Sequence, residues 1–252
     1  MKFDDLDSRL RVFETAHDHC ALPGLYLVAR LDGRNFTRLT KETHDFARPF
    51  DERFRDCMAG TVRHLLQSGF PVRYGYAQSD EISLLFDPGA NTFGRKLRKY
   101  HSILAGEASA KFSLLLGDMG VFDCRIAQLP RPVDVVDYFR WRAEDALRNA
   151  LNAHCYWLLR GEGATEVGAT NHIRGLSTAD KNELLFQRGI NFNNLPAWQR
   201  RGLGVYWQDV EREGFNPVTQ QATTTTRREL VTDLELPVRE AYMQFVQDLL
   251  GE

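Results

Sequence analysis

The chain has 252 residues, a formal net charge of -2 and 43% hydrophobic residues. This length suits one large domain, or one domain with an appendage, and the hydrophobic content is enough for a substantial core. A charge this close to neutral gives no overall attraction to nucleic acid, so an RNA partner would have to be met by local basic patches.

The sequence also argues against a membrane-spanning or secreted protein. No apolar run reaches the roughly 18 residues that cross a bilayer, and the acidic start Met1–Asp7 lacks the apolar segment of a signal peptide. The cysteines lie far apart, so neither a zinc site nor a disulfide framework is indicated; they are Cys20, Cys57, Cys124 and Cys155. We therefore expect a cytoplasmic protein that does not bind membranes.

The first half of the chain predicts strands and helices in the order β-α-β-β-α-β. The predicted elements are a strand at Leu25–Leu31, a helix at Phe50–Ser68, strands at Val72–Ala77 and Ile82–Phe86, a helix at Phe93–Leu116 and a strand at Phe122–Gln128. Only the turn Gln78–Asp80 separates the middle strands, so they must form an antiparallel hairpin. This is a split βαβ layout of class α+β, with an antiparallel sheet and helices on one face.

The second half predicts a helical and extended C-terminal extension. The predicted elements are a helix at Val133–Leu159, a flexible loop at Gly161–Gly168, a helix at Ser177–Phe186 with Ser177 as its N-cap, an extended linker or edge strand at Gly214–Thr226 and a closing helix at Leu236–Leu250. We divide the chain into a catalytic core at 1–132 and an extension at 133–252, packed together as one globular unit.

Acidic residues follow neighbouring strands of the predicted sheet. Asp32 ends the first strand, and Asp80 and Glu81 lie at the tip of the hairpin. These carboxylates are expected to converge at one edge of the sheet, where hard oxygen ligands suit Mg²⁺. Adjacent strand residues point to opposite faces, so Asp80 and Glu81 can both bind metal only if the turn bends the backbone. Each acid taken alone is equally typical of a turn or a solvated surface.

The residues after Asp32 are suited to a close backbone approach. Gly33 and Asn35 allow N–H groups to point at a triphosphate, although Asp-Gly is also a common turn. The basic runs at 95–99, 200–201 and 227–228 are candidate RNA contacts, and each is equally typical of a solvated face.

Several motifs together resemble one known family. They are Arg30–Phe36 (RLDGRNF), Phe46–Asp51 (FARPFD), Tyr76–Ser83 (YAQSDEIS), Ala179–Phe186 (ADKNELLF) and Asn191–Asn194 (NFNN). In this order, across residues 25–207, they resemble the tRNA-His guanylyltransferase family. The resemblance implies a palm-like catalytic domain similar to that of ordinary polymerases but used in the 3′-to-5′ direction. It also implies a homotetramer.

The resemblance further implies a reaction and its cofactors. ATP or GTP would activate the 5′-monophosphate of a tRNA, and the 3′-hydroxyl of an incoming nucleotide would then attack the activated end. Two Mg²⁺ ions would be held by Asp32, Asp80 and Glu81 with the carbonyl of Gly33. Arg48 stands where the family usually has lysine, which keeps the charge but changes the geometry.

Three sets of site residues follow from the resemblance. Catalytic roles are implied for Asp32, Asp80, Glu81 and Lys181. Nucleotide contacts are expected from Arg30, Gly33, Arg34, Asn35, Phe36, Arg48, Asp51, Ser79, Arg95 and Arg98. Contacts with tRNA are expected from Arg125, Arg148, Lys181 and Asn191.

One stretch departs from the family pattern. Members dedicated to tRNA-His carry His-Ile-Asn-Asn-Leu-Tyr where this chain has Leu147–Asn152, and only Asn149 and Leu151 are kept. This difference favours templated repair of tRNA 5′ ends by 3′-to-5′ addition. The alternatives are a dedicated tRNA-His guanylyltransferase and, from another class, a palm-fold nucleotide cyclase or an inactive RNA-binding module.

Overall fold

A computed structural model describes residues 2–216 and 221–251. The strands are β1 (Tyr26–Gly33), β2 (Val72–Gln78), β3 (Glu81–Phe86), β4 (Phe122–Leu129), β5 (Leu203–Asn216) and β6 (Gln221–Asp233). The helices are α1 (Phe3–Thr15), α2 (Phe36–Arg38), α3 (Glu52–Leu66), α4 (Leu97–Leu116), α5 (Pro132–Gly161), α6 (Glu166–Ile173), α7 (Thr178–Phe186), α8 (Ala197–Arg201) and α9 (Glu240–Leu250). Short turns of other helix types occur at Leu39–Thr43, Thr92–Arg95 and Phe192–Asn194.

The strands form one antiparallel sheet in the order β4-β1-β3-β2-β5-β6. The first four strands, with α3 and α4, build the predicted split βαβ unit, and the α+β fold class is confirmed. The hairpin β5–β6 extends this sheet beyond β2, whereas the sequence predicted no more than a linker or edge strand at Gly214–Thr226. Of that stretch, residues 217–220 lie outside the described residues.

Helices cover the sheet on both faces. On one face α3 and α4 pack on alternate strand residues such as Leu31, Ile82 and Leu84, as expected for the split βαβ unit. On the other face α5 and α9, from the extension, pack on residues such as Val28 and Leu85. Neighbouring strand positions therefore face different helices, because side chains alternate along a strand.

Local sequence signals set several helix boundaries. The Asp51 side chain accepts the backbone N–H of Arg53 at the start of α3. Ser177 and Asp180 form a capping box that starts α7. Gly117 ends α4 in the left-handed conformation, where an L side chain would be strained.

Two further parts of the chain differ from the sequence-based expectation. The helix α1 was not predicted. The predicted loop at Gly161–Gly168 already contains the start of α6, where the Thr165 side chain accepts the N–H of Gly168. In the described parts of the chain, no helix is both long enough and apolar enough to cross a membrane.

Candidate active site

The end of β1 is fixed against the tip of the β2–β3 hairpin. Gly33 donates its N–H to the carbonyl of Asp80 at 3.0 Å, and Asp32 lies directly opposite Glu81 in the strand register. Ser79 and Asp80 form the two-residue turn, with Ser79 at φ 53°. The sheet therefore brings the predicted acidic residues together at this edge.

Glu81 is occupied by two arginines. Its carboxylate accepts two hydrogen bonds at 3.0 Å from Arg142 in α5, and Arg30 Nε lies 2.9 Å from Glu81 Oε2. Arg30 also donates to Asp32 at 2.9 Å. Burial raises the pKa of Glu81, although Arg142 and Arg30 both act to lower it. The expected role of Glu81 as a metal ligand does not fit this geometry, because its oxygens face α5 and neutralise arginines.

Asp32 and Asp80 do fit a divalent cation. Asp80 lies in the turn, so strand alternation does not turn it away from Asp32. Burial raises the pKa of Asp80, and the negative charge of Asp32 raises it further. A hard cation would relieve this repulsion, with water and substrate phosphates completing its shell. Within residues 2–216 and 221–251, no group of three or more histidine, cysteine or acidic side chains is placed to bind a metal.

The carboxylates open into a cleft of about 400 Å³ between the sheet edge, the segment 36–58 and α5. Its walls carry carboxylates, cations and aromatic rings in close proximity. The predicted residues that line it are Asp32, Phe36, Arg48, Asp51, Ser79, Asp80 and Glu81. Such a mixture can bind a polyphosphate through its cations and a base through its rings.

The segment before α3 carries a cation fixed on an aromatic ring. The Arg48 guanidinium lies 4.5 Å from the ring centroid of Trp157 and donates to the carbonyl of Lys41 at 2.8 Å. Asp51 accepts the N–H groups of Ala47 and Arg53, each at 2.7 Å. The hydrogen bond from the Arg53 side chain lowers the pKa of Asp51. Asp51 therefore shapes this segment and leaves no free carboxylate for a nucleotide.

Two of the other predicted nucleotide contacts, Arg95 and Arg98, lie outside the cleft. Arg95 is buried and donates to the carbonyls of Ala90 and Leu25 at 3.1 and 2.8 Å. Arg98 pairs with Asp18. Neither guanidinium is placed to reach a nucleotide in this cleft, so these two expectations are wrong for this chain's own cleft.

Three of the predicted contact residues near β1, namely Arg34, Asn35 and Arg125, are exposed. Arg34 and Asn35 project at the turn after the strand, and Asn35 adopts a left-handed φ of 61°. The ring of Phe36 lies so close to Gly33 that a Cβ there would approach it to 2.6 Å. Arg125 on β4 is the cross-strand neighbour of Arg30. This arrangement leaves Arg34 and Arg125 accessible to a substrate outside the cleft.

A second cleft lies on the other side of α5, with a volume of about 410 Å³. Arg148 and Lys181 line it together with Asn193, and Asn191 accepts the N–H of Asn193 at 3.0 Å. Lys181 is not among the residues that line the carboxylate cleft. Within one chain Lys181 therefore lies with Arg148 in the second cleft, apart from Asp32 and Asp80, and its expected catalytic and tRNA-binding roles stay predictions.

Sequence reasoning missed one wall of the carboxylate cleft. That wall is a single face of α5, with further residues from neighbouring segments; its members are Lys41, Arg55, Arg142, Asp145, Asn149, Trp157 and Trp198. Arg142, Asp145, Asn149 and Trp157 recur at helical spacing, which was a usable signal. Without the tertiary structure, nothing indicated which face of α5 meets the sheet.

A palm-like split βαβ sheet with a carboxylate pair in a cleft lined by charged and aromatic side chains is the architecture of a nucleotidyltransferase, and this is the class of protein that the fold and site define. Residues 7–130 match the family model described as tRNAHis guanylyltransferase. Residues 133–247 match the model described as the Thg1 C terminal domain. The chain belongs to the tRNA(His) guanylyltransferase family.

Individual relatives agree with the family models. A probable tRNA(His) guanylyltransferase of Mus musculus is 35% identical over 213 residues, which cover 80% of this chain and 70% of that protein. Its Homo sapiens counterpart is 34% identical over 214 residues, with the same coverage of both chains.

Solved structures share the fold. A bacterial tRNA(His) guanylyltransferase-like protein in complex with GTP superimposes with a TM-score of 0.79 at 25% identity, covering 99% of this chain and 100% of that one. The tRNA(His) guanylyltransferase from Saccharomyces cerevisiae superimposes with a TM-score of 0.73 at 26% identity, covering 81% of this chain and 93% of that one.

Proposed function

We propose that this chain adds a nucleotide to the 5′ end of a tRNA, with guanosine addition to tRNA(His) as the first candidate reaction. The observation that carries the proposal is the pair Asp32 and Asp80 at the mouth of a cleft that also holds Arg48 and two tryptophans. GTP and ATP are present in structures of bacterial relatives, which supports both as nucleotide substrates here.

Asp32 and Asp80 would hold Mg²⁺, with the Gly33 carbonyl as a further oxygen donor. When bound, the metal supplies charge neutralisation at the phosphates and activation of the attacking hydroxyl. Arg48 and Arg55 bind the triphosphate oxygens as cations at the cleft wall. Trp157 holds the Arg48 guanidinium on its ring, and Trp198 offers a flat surface on which a base can stack.

The salt-bridge network on β1 and β3 orients the reacting edge. Arg30 holds Asp32 at 2.9 Å, and Glu81 holds Arg30 against the buried Arg142. This fixes the Asp32 carboxylate before substrate arrives, so little reorganisation is needed during transfer. Arg148 and Lys181 in the second cleft would hold tRNA phosphates, which position the RNA without reading its sequence.

Templated 5′-end repair is the second candidate. The sequence by itself favoured it, whereas the names of the curated relatives favour the tRNA(His) reaction, which is therefore placed first. The supporting observation is the stretch at 147–152, where Leu147 and Arg148 are exposed and Asn149 donates to Asp145 at 3.2 Å. These side chains offer few groups that could pair with an anticodon base.

One experiment separates the candidates. The chain is given Mg²⁺, ATP and each nucleoside triphosphate with 5′-monophosphorylated tRNA(His), with tRNAs of other anticodons, and with truncated tRNAs whose facing base is varied. If guanosine is added and the rate depends on the anticodon, the tRNA(His) reaction is supported. If the added nucleotide is the complement of the facing base for every anticodon, repair is supported. No addition to any tRNA, or nucleotide turnover that needs no RNA, would contradict the proposal.

A further inference from the structure

The helix α1 stands apart from the core. None of the residues of α1, all of which the structure describes, is buried. The Arg11 side chain pairs with Asp7 within the helix at 2.7 Å. A helix of 13 residues is only marginally stable in water without a packing partner. A surface that covers α1 would therefore stabilise it.

Four of the five apolar side chains of α1 form a single stripe, and Val12 lies outside it. Phe3, Leu6, Leu10 and Phe13 follow one another at spacings of three, four and three residues, which are the a and d positions of a heptad. Phe3 and Phe13 are 78% exposed, Leu10 is 49% exposed and Leu6 is 36% exposed. This stripe has the spacing of a coiled-coil seam, and it faces solvent in the single chain.

The charges beside the stripe specify the partner. With Phe3 at position a, Arg9 and the N-cap residue Lys2, which precedes the helix, occupy g positions, and Asp7 and Glu14 occupy e positions. In a parallel coiled coil each g residue faces the e residue five positions further along the other helix. Lys2 would then face Asp7, and Arg9 would face Glu14, on a second copy. Both contacts join opposite charges.

Other arrangements and partners fit less well. In an antiparallel pair, g faces g and e faces e, so Lys2 would meet Arg9 and Asp7 would meet Glu14. The acidic residues of α1 outnumber its basic ones, so an RNA backbone or an anionic lipid surface would be repelled. The sequence of α1 is thus complementary to itself in one orientation.

We propose that α1 pairs in parallel with α1 of a second copy of this chain, with the stripe as the seam. The heptad spacing, the exposure and the opposite charges carry this proposal, which is independent of the reaction proposed above. Two heptads are fewer than a free-standing coiled coil needs, so the α1 pair is one part of a larger contact.

The base of α1 is fixed to the core, so the pair would orient the two copies. Asp18, just after the helix, forms a salt bridge with Lys96 at 2.8 Å and another with Arg98. Cys20 forms a β-bridge with Lys96. The same contacts direct Arg98 to the segment after α1 rather than to the carboxylate cleft.

The first test measures mass in solution. Sedimentation velocity over a range of concentrations compares the full-length protein with the variants Leu6→Asp and Leu10→Asp. Ser8→Asp is the control, because Ser8 lies at an outward f position. We expect wild type and Ser8→Asp to form the same assembly. Both leucine variants should dissociate into particles of half its mass, and the concentration at which they do so should be at least about tenfold higher than for wild type. Circular dichroism and GTP binding confirm that each variant is folded. A monomeric wild type, or leucine variants of unchanged mass, would overturn the proposal.

The second test determines the orientation. Arg9→Glu and Glu14→Arg should each weaken association by about threefold to tenfold, and the double variant should restore it. In an antiparallel pair Arg9→Glu would instead strengthen association, because the new carboxylate would face Lys2. Stronger association of Arg9→Glu, or unchanged association of both single variants, would overturn parallel pairing. Leu10→Cys should cross-link to itself in a Cys20→Ser background, and Ser8→Cys should not. Equal cross-linking of the two would also contradict the seam.

Discussion

The guanidinium of Arg142 in α5 donates to both carboxylate oxygens of Glu81 in β3, at 3.0 Å each. The side chain of Arg142 is 6% exposed and that of Glu81 is 22% exposed. This ion pair between the extension and the catalytic sheet is therefore largely shielded from water. Arg142 also pairs with Asp145 at 3.1 Å. Glu81 therefore acts on the site through arginines.

Glu81→Gln should leave divalent-cation affinity within about threefold of wild type, because the metal is assigned to other carboxylates. It should lower the free energy of unfolding by about 2 kcal/mol, because Arg142 and Arg30 each lose one of two carboxylate partners. Mn²⁺ titration followed by electron paramagnetic resonance measures the first quantity, and urea unfolding measures the second. A large loss of Mn²⁺ affinity with unchanged stability would show that Glu81 is a ligand.

Asp32→Asn and Asp80→Asn should each lower nucleotide addition by more than about a hundredfold and weaken Mn²⁺ binding, since both remove a metal oxygen donor of full charge. The fold should persist, because neither side chain is in the core. Asp123→Asn is the matched control: Asp123 lies opposite Asp32 on β4 but does not line the cleft. If either cleft variant keeps wild-type activity and Mn²⁺ affinity, the two-carboxylate assignment is wrong.

Trp157 should position Arg48 for nucleotide binding. The stacked guanidinium is fixed in orientation, so Trp157→Leu should weaken GTP binding by about threefold to fivefold. In an Arg48→Lys background the same change should have almost no effect, because an ammonium does not stack as a plane. A double-mutant cycle on GTP affinity, with Trp157→Phe as the ring-preserving control, measures this coupling. Additive effects of the two changes would rule out the positioning role.

Lys181→Ala should raise the KM for tRNA and leave GTP affinity unchanged, because Lys181 lines the second cleft with Arg148. The expected change is about threefold to tenfold, as for loss of one phosphate contact, and it should shrink at higher salt. Lys99→Ala, a substitution outside both clefts, should have no effect. If Lys181→Ala instead lowers activity equally on 5′-monophosphate and 5′-triphosphate tRNA with unchanged tRNA binding, Lys181 serves another step.

His154 should make stability depend on pH. It lies between Phe50 and Phe192, and burial lowers its pKa to about 4. The unfolded state binds a proton below about pH 6.5 while the folded state stays neutral, so stability falls as pH drops from 6.5 to 4. Above pH 6.5 this contribution is constant.

Replacing His154 with Phe should flatten the stability profile between pH 4 and 6.5. Urea unfolding of both proteins at half-unit pH intervals gives the difference between their free energies of unfolding. This difference should change by at most about 1 kcal/mol per pH unit between pH 4 and 6.5. His101→Phe serves as the comparison with another histidine. A pH profile of the His154 variant parallel to that of wild type would contradict the neutral, buried state.

Much of the catalytic sheet was determined by the sequence alone. Period-two strands, a two-residue turn at Ser79–Asp80 and glycine stops gave the split βαβ order, because these signals depend on neighbouring residues only. Asp32 and Asp80 followed from the same reasoning, since the ends of adjacent strands must meet. The Ser177 cap and the helix α7 were likewise local.

Only the tertiary structure decided how the extension completes the site. The sequence does not state which face of α5 packs on the sheet, because that depends on the shape of both surfaces. Packing directs Arg142 and Trp157 to the carboxylate cleft and Arg148 to the second one. It also directs Glu81 to two arginines and Arg95 to buried carbonyls, whereas the family resemblance assigned Glu81 to the metal and Arg95 to the nucleotide. Contacts between side chains that are distant in the sequence therefore decide which charged residues lie in each cleft, and local sequence patterns do not.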